Sequence, residues 1–429
     1  MVVTIVVLLI LAGVSISLVV DKNGIIQKSK DARREYGQAK ANEQEDLSNL
    51  SDMIDEATAE PTPKVDVNTK AEDNSTINGK KGTSKNPTIP KNYIPIDTAT
   101  STWGDGSSAP SQDSVNHGLV IRDEQNNEWV WVPVDKETLA TMYEESSDEK
   151  TLCGTTGETA VKTKLYSKSI TIGTDSNTKT TPGKSNSYRE PDLVVGSGTE
   201  YDAGDTYCKI ILGDTGTKEQ LAQLFVDEYK AMIESVSKYG GFYIGRYELS
   251  EVGVQKDKEP LTNTNWYNLY NACRNSKLQA SDKVTTQMIW GCQWDVTMNW
   301  LISSRAKTSD EVNKDSSSWG NYKGTSVKAD DGTTEIKASG TPEKLNTGKT
   351  TFTMANNIYD LAGNVWEWTQ EAINTNSRVN RGGCYLNNGS GYLASYHLSS
   401  TPDNSTVNGL RFSFHFNNKV REESINLSV

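Results

Sequence analysis

Between Asn357 and Trp368 the chain reads Asn-Ile-Tyr-Asp-Leu-Ala-Gly-Asn-Val-Trp-Glu-Trp, and Arg378-Val379-Asn380-Arg381-Gly382-Gly383 and Gly409-Leu410-Arg411-Phe412 follow it. Two tryptophans flanking a glutamate constrain the fold strongly. Each indole buries a large apolar area, while Gly363, Gly382 and Gly383 permit positive φ or close approach of one backbone to another. The pattern predicts a tightly packed turn inside a folded core. Glu367 then needs either a metal ion or a buried arginine such as Arg381 or Arg411.

Regular elements surround that core. Leu119–Arg122 and Glu128–Val132, separated by the polar turn Asp123–Asn127, read as a β-hairpin that Pro133 ends. Thr217-Lys218-Glu219-Gln220 has capping-box form, Leu221, Phe225, Met232 and Val236 continue it at helical spacing, and Gly240-Gly241 stops it. Phe242–Leu249 reads as a strand. At the end, Leu410, Phe412, Phe414 and Phe416 alternate with Arg411, Ser413 and His415, the period of a strand with one buried face. The order of elements predicts mixed α+β, without a regular βαβ repeat.

The run Ile358–Thr369, with its following Arg-Gly-Gly and Gly-Leu-Arg-Phe, resembles the signature of the formylglycine-generating-enzyme (sulfatase-modifying factor) type of C-type-lectin fold. Phe242–Leu249 resembles another element of that family, and Trp294 and Asp295 fall where it has a further one. The resemblance covers about Gly118 to Phe416 and implies an α+β, C-type-lectin-like head over residues 117–417.

Composition bounds the remainder. A formal charge of −12 over 429 residues argues against a nucleic-acid partner, because a basic surface supplies most of that affinity. A hydrophobic content of 34 % is low for one compact domain and predicts linker or loop segments. Residues 59–116, rich in Pro, Lys, Asn, Thr, Ser and Gly, are expected to form a flexible linker. Residues 145–205 read as a long insertion.

Val2–Val20 is nearly unbroken apolar sequence, long enough to cross a bilayer as a helix. Leu47, Leu50, Ile54 and Ala57 then recur at helical spacing, which predicts an amphipathic spine over residues 21–58. This arrangement resembles the long N-terminal helix of type IV pilins, although the basic leader, its cleavage site and the embedded glutamate of that family do not stand in the sequence. The resemblance implies a bacterial surface location, membrane-anchored through the N-terminal helix or associated with pilus subunits.

Catalytic chemistry has little support. The family's oxidases resemble copper enzymes with two cysteines, four and nine residues past the second glycine of Arg-Gly-Gly; here those places hold Asn387 and Tyr392, neither of which supplies a thiolate. Cys153, Cys208, Cys273, Cys292 and Cys384 have no zinc spacing, and Cys273–Cys292 or Cys153–Cys208 bridges are open possibilities. His117, His397 and His415 show no paired-ligand spacing. The expectation is a protein with no catalytic residues. By resemblance, Asn364, Glu367 and the carbonyl of Val365 would hold a structural calcium, oxygen ligands suiting a hard cation.

The segment 384–408 carries the functional signal. Its 25 residues include three Tyr, five Ser, four Asn and two Gly with Asp403 the only charge, whereas a chain 23 % charged would place about six charges there. Tyrosine for rigid contact with Ser, Asn and Gly for adaptable hydrogen bonding is the composition of a paratope. The segment resembles the variable region of proteins diversified by diversity-generating retroelements. The candidate ligand-binding residues are Tyr385, Asn387, Asn388, Ser390, Tyr392, Ser395, Tyr396, His397, Ser399, Ser400, Asn404, Thr406 and Asn408, expected on one exposed face toward a protein or glycan on another cell, phage or host surface. The rival expectations are an oxidase with displaced chemistry and a structural minor pilin.

Overall fold

The computed structural model describes residues 62–168, 190–194, 208–274, 279–374, 376–402 and 405–417. The apolar run Val2–Val20 and the spine 21–58 lie outside them. Among the described residues no helix is long and apolar enough to cross a membrane.

The architecture is mixed α+β. Its main layer is a six-stranded antiparallel sheet in the order Ile94–Ile96, Val120–Arg122, Glu128–Pro133, Gly241–Gly245, Phe412–Phe416, Val284–Met288. One side carries the 22-residue helix Lys218–Tyr239, whose capping box joins Thr217 to Gln220 and whose last turn ends on Gly240 at φ 74°. Both were legible in the sequence, because the cap and the left-handed stop are local devices. Tyr93, Trp129, Tyr243 and Phe414 pack together in the core cluster that this sheet shares with Phe225, Trp266 and Tyr270.

Phe412–Phe416 departs from its sequence expectation. All five residues are buried, including Ser413 and His415. Its phenylalanines lie in the main core cluster, and the opposite face is covered as well, Ser413 there meeting Gln293 of the helix Gly291–Ser303. Ser413 finds a partner there, its Oγ donating to Gln293 Oε1 at 2.8 Å.

His415 has a measurable consequence. Burial pushes its pKa down to about 4, and its Nδ1 has no partner. Between pH 6.5 and 4 the unfolded chain therefore binds more protons than the folded one, and stability falls as pH falls through that window. The size is up to about 3 kcal/mol. Urea midpoints measured at pH 7 and pH 4.5 should separate for the native chain and converge for His415→Gln; parallel shifts in both would refute the assignment.

Residues 59–116 are not a flexible linker from residue 62 onward. Val65, Ala71, Ile77, Ile89, Tyr93 and Trp103 are buried in the main core, and Ile94–Ile96 forms an edge of the large sheet. Backbone bonds such as Ser75 N–H to Ile89 O (2.9 Å) and Ala71 N–H to Tyr93 O (2.9 Å) pin the segment. Averaged composition hid this: six well-placed apolar side chains anchor a polar segment in which Thr76, Asn86 and Ser101 bond to the backbone. The head therefore begins well before residue 117, and a chain started near Gly118 would lose part of its core. Within 145–205, Tyr143–Thr151 and Lys162–Ser167 form a mostly exposed antiparallel pair, while Leu193 and Val194 are buried. No two of the five cysteines are bridged.

Candidate functional site

A second, four-stranded sheet carries the site. Its order is Leu398–Ser400, Ser377–Arg381, Trp366–Asn374, Asn408–Leu410, the last pair parallel and the others antiparallel. Leu410 ends a strand of this sheet and Phe412 begins the terminal strand of the large one. Arg411 between them is fully buried and ties both together. Its guanidinium grips Glu367 through Nε at 2.8 Å and Nη2 at 2.6 Å, and donates to the carbonyls of Gly245 and Tyr359, each at 2.8 Å.

This arrangement does not fit a calcium ion at Asn364, Val365 and Glu367. Both Glu367 oxygens face a cation that the chain itself supplies. Asn364 Oδ1 accepts from Asn321 Nδ2 at 2.9 Å and Leu345 N–H at 3.0 Å, and its Nδ2 donates to Glu248 at 2.6 Å. A hard cation would have to displace these donors and share the pocket with a guanidinium. The buried-arginine alternative is the one with geometry behind it, and Arg411 is the partner.

Arg381 organises a second buried group. It pairs with Asp295, with Glu371 at 2.9 Å, and with His397 Nε2, which also lies 3.4 Å from Glu371. Burial works to raise the Glu371 pKa, but Arg381 and His397 outweigh it and hold it at about 2. Glu190, buried beside Glu371, is pushed the other way, to about 8, by burial first and that neighbouring carboxylate second.

The segment 384–408 lies over these groups and is ordered by what lies beneath it. Gly383, at φ 80°, starts it where a Cβ would stand 2.6 Å from Tyr392 O; at Gly389 a Cβ would stand 2.6 Å from Ser317 N. The backbone is pinned at several of the described residues. Tyr385 N–H donates to Asn364 O (2.9 Å), Lys323 N–H to Asn387 O (2.9 Å), Ser316 N–H to Gly389 O (3.1 Å) and Asn263 N–H to Ser405 O (2.8 Å). Trp294 Nε1 adds a bond to Ala394 O at 3.0 Å.

Side chains divide into two sets. Trp366, Cys384, Leu393 and Tyr396 form a small apolar cluster of their own, against which the half-buried Tyr385, Tyr392, Leu398 and Val407 pack. Tyr392 meets Trp366 edge-on at 5.6 Å and Tyr396 at 5.1 Å. Outward are Leu386 (48 % exposed), Asn388, Ser390, Ser399 and Thr406, with Asn387 and Ser400 half-buried.

Four expected contact residues point inward instead. Ser395 donates to Val312 O at 3.1 Å, Tyr396 sits in the small cluster, His397 joins Arg381, and Asn408 lies in the strand beside Trp366. The reason is that residues 393–397 lead into the edge strand Leu398–Ser400 and lie against the core, a burial that no helical or strand period marks in the sequence. Asn404 lies outside the described residues. Leu386 was missed, since a single leucine in a polar run carries no exposure signal. Asn387 accepts from the Cys384 N–H (3.0 Å) and thiol (3.1 Å), and Tyr392 packs on Trp366; burial pushes the Cys384 thiol up to about 11.

No protein-family model matches this chain, and no curated protein matches it. Among solved structures it is similar to Treponema denticola variable protein 1, at 12 % identity over 67 % of this chain and 95 % of that one, with a TM-score of 0.21.

Proposed function

We propose that this protein is a non-catalytic, surface-displayed ligand-binding protein, an adhesin or receptor. Its head is a C-type-lectin-like fold of the formylglycine-generating-enzyme type, with residues 384–408 as a diversifiable binding segment. A pilin-like N-terminal helix holds it at a bacterial surface, and the ligand is a protein or glycan presented by another cell, phage or host. One observation carries the reading: the segment's backbone is bonded to its surroundings at Tyr385, Asn387, Gly389, Pro402, Ser405 and Val407, while Leu386, Asn388, Ser390, Ser399 and Thr406 stand in solvent. A loop already ordered loses less conformational entropy on association, so its side chains can be exchanged for new ligands without rebuilding the fold. The absence of a thiol at positions 387 and 392 favours binding over the family's oxidation chemistry.

Sequencing the same locus in sibling strains tests this. Substitutions should concentrate at Tyr385, Leu386, Asn387, Asn388, Ser390, Tyr392, Ser399, Ser400 and Thr406 and spare Cys384, Leu393, Ser395, Tyr396 and His397. Uniform drift across both sets would end the diversification reading. Joint replacement of Leu386, Asn388, Ser390 and Thr406 by Ala should leave folded stability within about 0.5 kcal/mol per exposed site, while abolishing adhesion of protein-coated beads to whichever intact cells the native chain holds.

A further inference from the structure

A second concave site lies apart from the segment 384–408, and none of its lining residues belongs to that segment. It is a groove of about 430 Å³ between the helices Gln112–Asn116, Lys136–Met142 and Gly291–Ser303, with Ser84 and Lys85 at its rim. That volume is in the range of sites for small ligands, about 300 to 1,000 Å³.

Its chemistry is specific. Its apolar surface comes from the half-buried Pro133 and the edge of Trp300, over a floor that includes the buried Val115 and Val296, and hydroxyl, amide and carboxylate groups stand around it. Some of these are already engaged: Asp135 Oδ1 accepts from Thr138 N–H at 2.7 Å, and Gln112 Nε2 donates to Asn116 at 2.9 Å. Three are not. Lys85, Glu137 and Asn299 line the groove, and among the described residues their side chains make no hydrogen bond or ion pair. Trp300 contributes a buried indole N–H that is likewise unpartnered.

We propose that this groove binds a neutral saccharide. A sugar ring offers one apolar C–H face for Pro133 and the exposed edge of Trp300, and hydroxyls around its rim, which can accept from Lys85 and donate to Glu137 while the Asn299 amide does both. A phosphate would meet Asp135 and Glu137 unfavourably, and an apolar ligand would strand the amide and the charges. The groove thus gives the head a fixed recognition site beside its exchangeable one.

The test uses the full chain on an array of neutral glycans, followed by calorimetry with the best-bound one. The native chain and the variant with Ala at Leu386, Asn388, Ser390 and Thr406 should bind alike. Asn299→Leu and Glu137→Gln should each weaken binding at least tenfold with an unchanged melting midpoint. Glu137 is exposed, so its variant remains informative if Asn299→Leu folds poorly. No bound glycan, binding indifferent to both groove variants, or binding lost only with the 384–408 variant would each overturn the proposal.

Discussion

Replacing Arg411 by Ala is expected to unfold the head. The guanidinium is fully buried and satisfies Glu367, itself fully buried, through two bonds, while its remaining donors hold Gly245 and Tyr359 from the large sheet and the central turn. Removing one partner of such a pair leaves an uncompensated charge and costs about 3 to 5 kcal/mol. That is a large share of the roughly 5 to 15 kcal/mol by which domains are stable. The variant should also acquire a distinctive pH dependence. Burial already raises the Glu367 pKa, against the pull of Arg411, to about 7, and Asp360 adds to the rise. Without the cation the folded carboxyl takes up a proton more readily still. A folded pKa above the unfolded one gives stability that is present below about pH 4.5 and lost as pH rises, so Arg411→Ala should be less damaged at pH 5 than at pH 8. Urea unfolding followed by tryptophan fluorescence reads both effects. A loss under about 1 kcal/mol at pH 8, or no relief at pH 5, would show that Glu367 finds another partner.

Phe414→Ala should be comparably severe for a different reason. The ring lies 4.9 Å from Trp129, 4.9 Å from Tyr243 and 5.3 Å from Tyr93, in the strand that pairs with Tyr243 on one side and Thr286 on the other. Truncation opens a cavity where four segments distant in sequence meet, and buried Phe→Ala changes cost about 3 to 5 kcal/mol. Phe414→Leu, which leaves a smaller cavity, should cost clearly less. Equal midpoints for Phe414→Ala and the native chain in thermal unfolding would mean that the aromatic cluster collapses without loss. Trp366→Ala should behave otherwise, because Trp366 belongs to the small separate cluster under Tyr392 and Tyr396. There the loss falls first on the order of residues 384–408 and so on ligand binding.

Local chemistry was readable from the chain alone. Thr217 with Gln220, Gly240 in a left-handed stop, and the alternation through Phe412 each depend on residues a few positions apart, and the structure places the corresponding helix and strand there. For the glutamate between tryptophans the chain alone left calcium and a buried Arg381 or Arg411 open, and only the fold brings Arg411 onto Glu367. The composition of residues 384–408 also marked out a segment that reaches solvent. Which of its residues do so was not readable, since Tyr392 and Tyr396 are the same residue type four positions apart, one half-buried and one in the cluster.

What the sequence determined by itself was the set of local commitments: where helices cap and stop, where strands alternate, and that a charge lay among indoles. Those follow from hydrogen-bond geometry and side-chain size over a few residues. Only the tertiary structure decided that residues 62–116 are core, that Ser413 and His415 are covered on the strand's second face, and that Ser395, Tyr396, His397 and Asn408 turn inward. Each of those outcomes depends on a surface supplied from far along the chain, and burial is a property of the pair of surfaces, which no local window contains.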